Sequence, residues 1–215
     1  MKKFWVLFIL FVLPLVFYIF LSEGIYKYSN LPILTENVSN IDKLETNNLA
    51  TFSNKLTVVC FPGKNSNNSK TGLFNLNEVI YKRYYQKPFF QIVALFPREN
   101  KEDYKKVIEQ LGLYTNLKNW HFIFTSSDSI QKIYQSFKVP YSLNKMGYSS
   151  NAFIIDKKLR LRGRKDDEDA VNGKLYGYNM NSVAVLKNKM RDDIAIIYYQ
   201  LKKSAEKKLR NKNNK

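Results

Sequence analysis

The chain has 215 residues, 45% hydrophobic and 25% charged, which is enough length and apolar material for one folded domain with its own core. Its single cysteine, Cys60, excludes an intrachain disulfide, a CxxC redox pair and a cysteine-rich zinc site. The formal charge of +17 would suit an anionic partner. However, the bases are spread along the chain and dense only from Lys202 to Lys215, and no RNP, zinc-finger or helix-turn-helix signature is present, so nucleic acid is not an expected partner. The richness in Lys, Asn, Ile, Tyr and Phe is the drift of an AT-rich genome.

Phe4 to Leu21 reads FWVLFILFVLPLVFYIFL, 18 residues without a charge. At 1.5 Å per residue this is about 27 Å of helix, just enough to cross a hydrocarbon core. Pro14 falls mid-run, where lipid tolerates it, and Trp5 and Tyr18 sit towards the two ends, as interfacial aromatics do. A cleaved signal peptide would have a shorter apolar core and a small-x-small site. The run is longer than that, and Phe20 to Gly24 match poorly, so residues 1–22 read as an uncleaved transmembrane signal-anchor. Lys2 and Lys3 precede it, whereas the next twenty residues hold only Lys27 among the bases. The expected orientation is therefore amino terminus inside and domain facing the periplasm or cell exterior, on a single-pass protein of the cytoplasmic (inner) membrane.

Residues 23–54 are polar and Asn-rich, with Leu31-Pro32-Ile33-Leu34 as their apolar run, and read as a juxtamembrane tether carrying one short strand. A strand over Leu56 to Phe61 follows, closed by Pro62-Gly63. Lys64 to Thr71 (KNSNNSKT) is a loop by composition. Asn75 to Tyr85 predicts a helix, and Phe89 to Phe96 a buried strand. Glu99 to Leu111 predicts a helix stopped by Gly112, with Tyr104, Val107, Ile108 and Leu111 on one face. Trp120 to Thr125 is a strand, and Asp128 to Phe137 a helix. Ala152 to Asp156 and Leu159 to Arg164 flank Lys157-Lys158 as a tight hairpin. Asn181 or Ser182 caps a closing helix with the stripe Val183, Leu186, Met190, Ile194, Ile197 and Leu201.

The order β-α-β-α-β-α-β-β-α implies right-handed crossovers, parallel pairs and a late antiparallel hairpin. The expected fold class is α/β: a thioredoxin-like central mixed sheet flanked by helices, over residues 55–203, with residues 204–215 as a basic tail.

Several segments together resemble the Sco/SenC family, thioredoxin-fold proteins that help deliver copper to cytochrome c oxidase. Asn119-Trp120-His121-Phe122 is similar to the family's N-W-H-F strand start. Phe153-Ile154-Ile155-Asp156, followed by Leu161-Arg162-Gly163-Arg164, is similar to its F-x-I-D and x-R-G hairpin. Asn181 to Lys203 resembles its closing helix. The resemblance implies a C-x-x-x-C pair after the first strand and a histidine eight residues before the hairpin Asp, a soft set suited to copper. Here Lys64-Asn65-Ser66-Asn67-Asn68-Ser69 contains no cysteine, and Tyr148 stands eight residues before Asp156. No catalytic, cofactor-binding or metal residue carries over, and no cofactor is expected.

Cys60, set in the apolar run Val58-Val59-Cys60-Phe61, reads as a buried, inert strand thiol; an exposed redox thiol would need a lowered pKa. His121, the only histidine, reads as a packed strand residue. Asp166-Asp167-Glu168-Asp169 reads as a solvated acidic loop without an EF-hand pattern. The leading expectation is a membrane-anchored Sco/SenC-like protein, more an assembly protein than an enzyme. It would be connected with respiratory cytochrome c oxidase assembly through protein contacts, its copper and thiol site degenerate. A single-cysteine thioredoxin-fold oxidoreductase using Cys60 is the alternative, and a structural or membrane-surface interaction protein is a third reading.

Overall fold

The computed structural model describes residues 2–24, 30–42, 44 and 50–213. The chain divides into two compact units, Met1–Asn30 and Leu31–Lys215. The first holds helix α1 (Lys2–Gly24), with Pro14 inside it. Among the described residues no helix is long and apolar enough to cross a membrane, so the single span expected over residues 4–21 does not follow from the structure. What α1 does show is apolar side chains left uncovered within its own unit, Leu10, Phe11 and Tyr18 among them.

The second unit is built on a mixed sheet. Its strands are β1 (Ile33–Thr35), β2 (Leu56–Cys60), β3 (Phe90–Pro97), β4 (Trp120–Thr125), β5 (Asn151–Ile155), β6 (Leu161–Arg162) and β7 (Tyr178–Asn179). The order across the sheet is β1-β6-β5-β2-β3-β4, with β7 pairing β5. The pairs β2–β3 and β3–β4 are parallel, and β2–β5, β5–β6 and β1–β6 antiparallel. Strands β2 and β3 are buried on both faces, which is why both appear in the sequence as continuous apolar runs. The five strands expected in the domain lie in this one sheet, and the short strand expected in residues 23–54 joins its edge as β1.

Alternation along the strands makes two cores. Val58, Cys60, Ala94, Phe96 and Ile154 face one side; there they meet α2 (Ser66–Asn75), its continuations through a π-helical stretch (Leu76–Tyr81) and α3 (Lys82–Tyr84), α4 (Lys101–Tyr114) and the closing helix. Val59, Phe61, Val93, Ile123, Phe153 and Ile155 face the other side, against α5 (Ser127–Ser136). The closing helix starts at α6 (Val183–Val185), passes through a π-helical stretch (Leu186–Met190) and continues as α7 (Arg191–Asn213). Ser182 is its cap, accepting from the Val185 N–H at 3.3 Å. Leu186, Met190, Ile194 and Ile197 are buried as expected, but Val183 is exposed. Val183 is the first helical residue after the Ser182 cap, and the stripe is covered from Leu186 to Ile197.

Four expectations are corrected. Residues 31–54 are more than a tether: Leu31, Val38, Ile41, Ala50 and Phe52 are buried in the two cores, and Arg162 donates from Nε to the Leu31 carbonyl at 3.1 Å. Residues 66–71 are helical rather than loop. Asn65 caps α2, accepting from the Asn67 N–H at 3.0 Å, and Gly72 lets the helix approach Met180, whose Cγ would lie 2.6 Å from any added Cβ. Gly112 does not stop α4, which runs on to Tyr114. The hairpin turn has three residues, not two: Asp156 N–H donates to Arg160 O and Leu159 N–H to Asp156 O, both 3.0 Å. Leu159 takes a positive φ of 60°, the backbone of a turn with a bulge.

Candidate functional site

The candidate site lies where β2 runs out. Ser149 N–H donates to Phe61 O at 3.0 Å and Lys64 N–H to Met146 O at 2.8 Å. Between these bonds Pro62 forms an antiparallel bridge with Tyr148. The loop after β2 is thus bonded to the segment that carries the position eight residues before Asp156. Gly63 is obligatory here: its φ is +69°, and a Cβ would stand 2.7 Å from Met146 O and 2.8 Å from Tyr148 Cβ.

Beneath the loop lies Tyr104 of α4, fully buried. Its hydroxyl is within 3.0 Å of Pro62 O and 3.1 Å of Gly63 O, and 2.8 Å from Ser69 Oγ of α2. Burial pushes this phenol up to about 12, so it stays protonated and bonds the carbonyls as a donor. The Tyr148 hydroxyl accepts from Asn181 Nδ2 at 2.8 Å. Lys64 pairs with Glu99 at 3.0 Å across the rim. Beside them a cleft of about 240 Å³ is lined by Lys64, Pro97, Asp128, Gln131, Asn144 and Gly147 among others. The side chains offered at this end are hydroxyls, amides, the Lys64 ammonium and the carboxylates of Glu99 and Asp128.

Cys60 and His121 are not brought together. Cys60 is fully buried and shares a core with Val58 and Ala94. His121 lies opposite Val93 in the β3–β4 ladder, and Val93 belongs to the other core. The two side chains therefore point to opposite faces of the sheet. Burial drives the Cys60 thiol far above its usual range, which leaves almost no thiolate to act as nucleophile or ligand. Burial, then the charge of Lys55, lowers the half-buried His121 imidazole. Met146 exposes its side chain and lends its carbonyl to the loop. Among the described residues no group of three His, Cys, Asp or Glu side chains is disposed to hold a metal ion.

The acidic cluster is not a solvated loop throughout. Asp167 is buried and pairs with Lys189 at 2.6 Å, while Asp169 meets the same ammonium at 2.7 Å. Arg164 bonds buried Asp193 at 2.8 Å, and Tyr178 donates to that carboxylate at 2.6 Å. The cluster ties the post-hairpin loop to the closing helix. Tyr104 entered the sequence reading only as one member of an apolar stripe; nothing in the sequence marks its hydroxyl as the support of the loop.

A parallel β2–β3–β4 unit, an antiparallel β5–β6 hairpin and a closing helix on the sheet define a thioredoxin-like α/β protein. No protein-family model matches the chain, and no curated protein matches it in sequence. Solved structures do share the fold. BsSco, a member of the Sco family of cytochrome c oxidase assembly proteins, matches with a TM-score of 0.51 at 12% identity, over 80% of this chain and 98% of its own. A candidate protein disulfide isomerase from Bacteroides thetaiotaomicron also matches with a TM-score of 0.51, at 10% identity over 80% and 95%. A SCO1/SenC family lipoprotein from Bacillus anthracis matches with a TM-score of 0.47 at 16% identity, over 84% and 98%. Sco proteins are thus among the structural neighbours, and what the likeness establishes is the thioredoxin-like fold.

Proposed function

We propose that this chain is a divergent Sco/SenC-like protein that serves respiratory cytochrome c oxidase assembly through protein contacts, without a copper or thiol site of its own. The observation that carries this reading is the join between Pro62 and Tyr148. The two places where the family resemblance implies thiolates and an imidazole are bonded into one site, yet the side chains there are Lys64, Ser66, Ser69 and Tyr148. Hydroxyls and amides are hard, neutral ligands that compete poorly for Cu(I). BsSco's membership of an oxidase-assembly family supplies the link to the oxidase. The burial of Cys60 speaks against the one-cysteine oxidoreductase.

The reading includes a membrane anchor, with the domain outside the cytoplasm. The charge-free run of residues 4–21 and the uncovered side chains of α1 support it, because a helix apolar on every side needs protein or lipid around it. A reporter active only outside the cytoplasm, fused after Lys215, is expected to work; activity of a cytoplasm-only reporter there refutes the orientation.

The functional test is a deletion strain assayed for cytochrome c oxidase activity. Activity falls on deletion and is restored as fully by the Cys60→Ser chain as by the natural one. Unchanged activity on deletion refutes the oxidase link, and a folded Cys60→Ser chain that fails to restore it refutes thiol independence.

A further inference from the structure

The hairpin turn and α7 enclose a groove of about 530 Å³, remote in sequence from the loop at the end of β2. Four of its lining residues are positive, Lys157, Lys158, Arg160 and Arg162, and one is negative, Asp156. That carboxylate is already engaged. Oδ1 accepts from the Lys158 and Arg160 backbone N–H groups at 2.9 and 3.3 Å. Oδ2 accepts from Arg160 Nε and Nη2 at 2.9 and 2.6 Å and from Arg162 Nη1 at 2.8 Å. Desolvation works against the charged carboxylate, but these bonds and the Arg160 charge outweigh it and hold Asp156 below the usual range. One carboxylate offsets one cation, so the groove retains an excess of three positive charges.

The cations have distinct tasks. Arg162 is buried and turned inward to the Leu31 carbonyl. Arg160 is fixed by its fork on Asp156 and remains part-exposed. Lys157 reaches across the groove, donating to Ser204 Oγ of α7 at 3.1 Å, and Lys158 is exposed at the turn. The Ser204 hydroxyl donates to Leu201 O at 2.8 Å, so its lone pairs face the lysine and its proton is spent. Two movable ammoniums beside a pre-oriented guanidinium match the three acceptor oxygens and near-double charge of a phosphate monoester. The volume exceeds that of phosphate alone, which leaves room for what the phosphate esterifies.

We propose that this groove is an anion site for a phosphate ester, free or as a lipid headgroup, held by Lys157, Lys158 and Arg160. The test uses the full chain in a neutral detergent, titrated calorimetrically with glycerol 3-phosphate and with monomeric short-chain phosphatidic acid, both phosphate monoesters. Saturable binding of one equivalent is expected. Lys157→Glu/Lys158→Glu should weaken it about tenfold or more, while the same charge change on α4, Lys105→Glu/Lys106→Glu, should leave it unchanged. Should the first variant fold poorly, Lys157→Gln/Lys158→Gln gives the same reading. Tighter binding of the phosphatidic acid assigns the site to headgroups; tighter binding of glycerol 3-phosphate assigns it to soluble esters. No saturable binding of either probe at millimolar concentration, or equal weakening by both charge changes, overturns the proposal.

Discussion

Replacing Tyr104 by Phe removes a hydroxyl and almost nothing else. In the native chain that hydroxyl sits between Ser69 Oγ and the carbonyls of Pro62 and Gly63, at 2.8, 3.0 and 3.1 Å. One O–H carries one proton, so the two carbonyls share a donor, and both lose it together. Ser69 Oγ keeps the Asn65 and Ser66 carbonyls as partners at 3.3 Å, so the cost falls on the loop. A buried acceptor left without a donor costs about 1–3 kcal/mol. For a chain of this size each kcal/mol lowers Tm by roughly 2–4 °C, so Tyr104→Phe should lower Tm by about 2–12 °C. Thermal unfolding followed by circular dichroism reads this directly. Hydrogen exchange at the Lys64 N–H, bonded to Met146 O at 2.8 Å, should quicken in step. A Tm unchanged within about 1 °C and unaltered exchange would refute the claim that this phenol holds the loop.

The remaining predictions concern the cores and the charges. Cys60 should resist iodoacetamide in the folded chain and react at once in denaturant, because it is fully buried and its thiol is pushed far up; rapid native labelling contradicts its inertness. Asp156 has a folded pKa below its unfolded one, so its contribution is present above the ordinary carboxylate value of about 3.9 and is lost as pH falls through the lowered folded value. The Asp156→Asn chain should therefore show a shallower loss of stability below about pH 4; an unchanged slope contradicts the pairing with Arg160 and Arg162. Ile194→Ala, at a fully buried position, should cost about 2–5 kcal/mol by urea unfolding, and a loss under about 0.5 kcal/mol would mean that this face of the closing helix is not packed.

What the sequence made legible follows from how each element is buried. Strands β2 and β3 are covered on both faces, so their apolar runs needed no periodicity to be found. The first turns of α2 were missed because Ser66, Asn67, Asn68 and Ser69 have turn chemistry, and the helix start rests on a side-chain cap from Asn65. Residues 31–54 were misread because, outside the run Leu31-Pro32-Ile33-Leu34, Val38, Ile41 and Phe52 stand singly among polar residues with no common period, and their place in one core is set by tertiary contacts. The π stretches have no signature in an apolar stripe: Leu186, Met190, Ile194 and Ile197 stay buried through the second of them and beyond it. At the end of β2, Tyr148 stands where the resemblance implies a histidine, and its meeting with Pro62 is a fact of three dimensions that the sequence does not display. Asp167 was taken for a solvated residue because sequence displays its charge and not the Lys189 ammonium that faces it.

The most direct test of the central claim is a Cu(I) titration of the purified full chain against a competing chelator. The arrangement of Lys64, Ser66, Ser69 and Tyr148 at the end of β2, with Cys60 and His121 on opposite faces of the sheet, predicts that the chelator keeps the metal and that Cys60→Ala changes nothing. One equivalent of Cu(I) retained by the chain, and released by Cys60→Ala, would contradict that prediction and restore a metal-handling role.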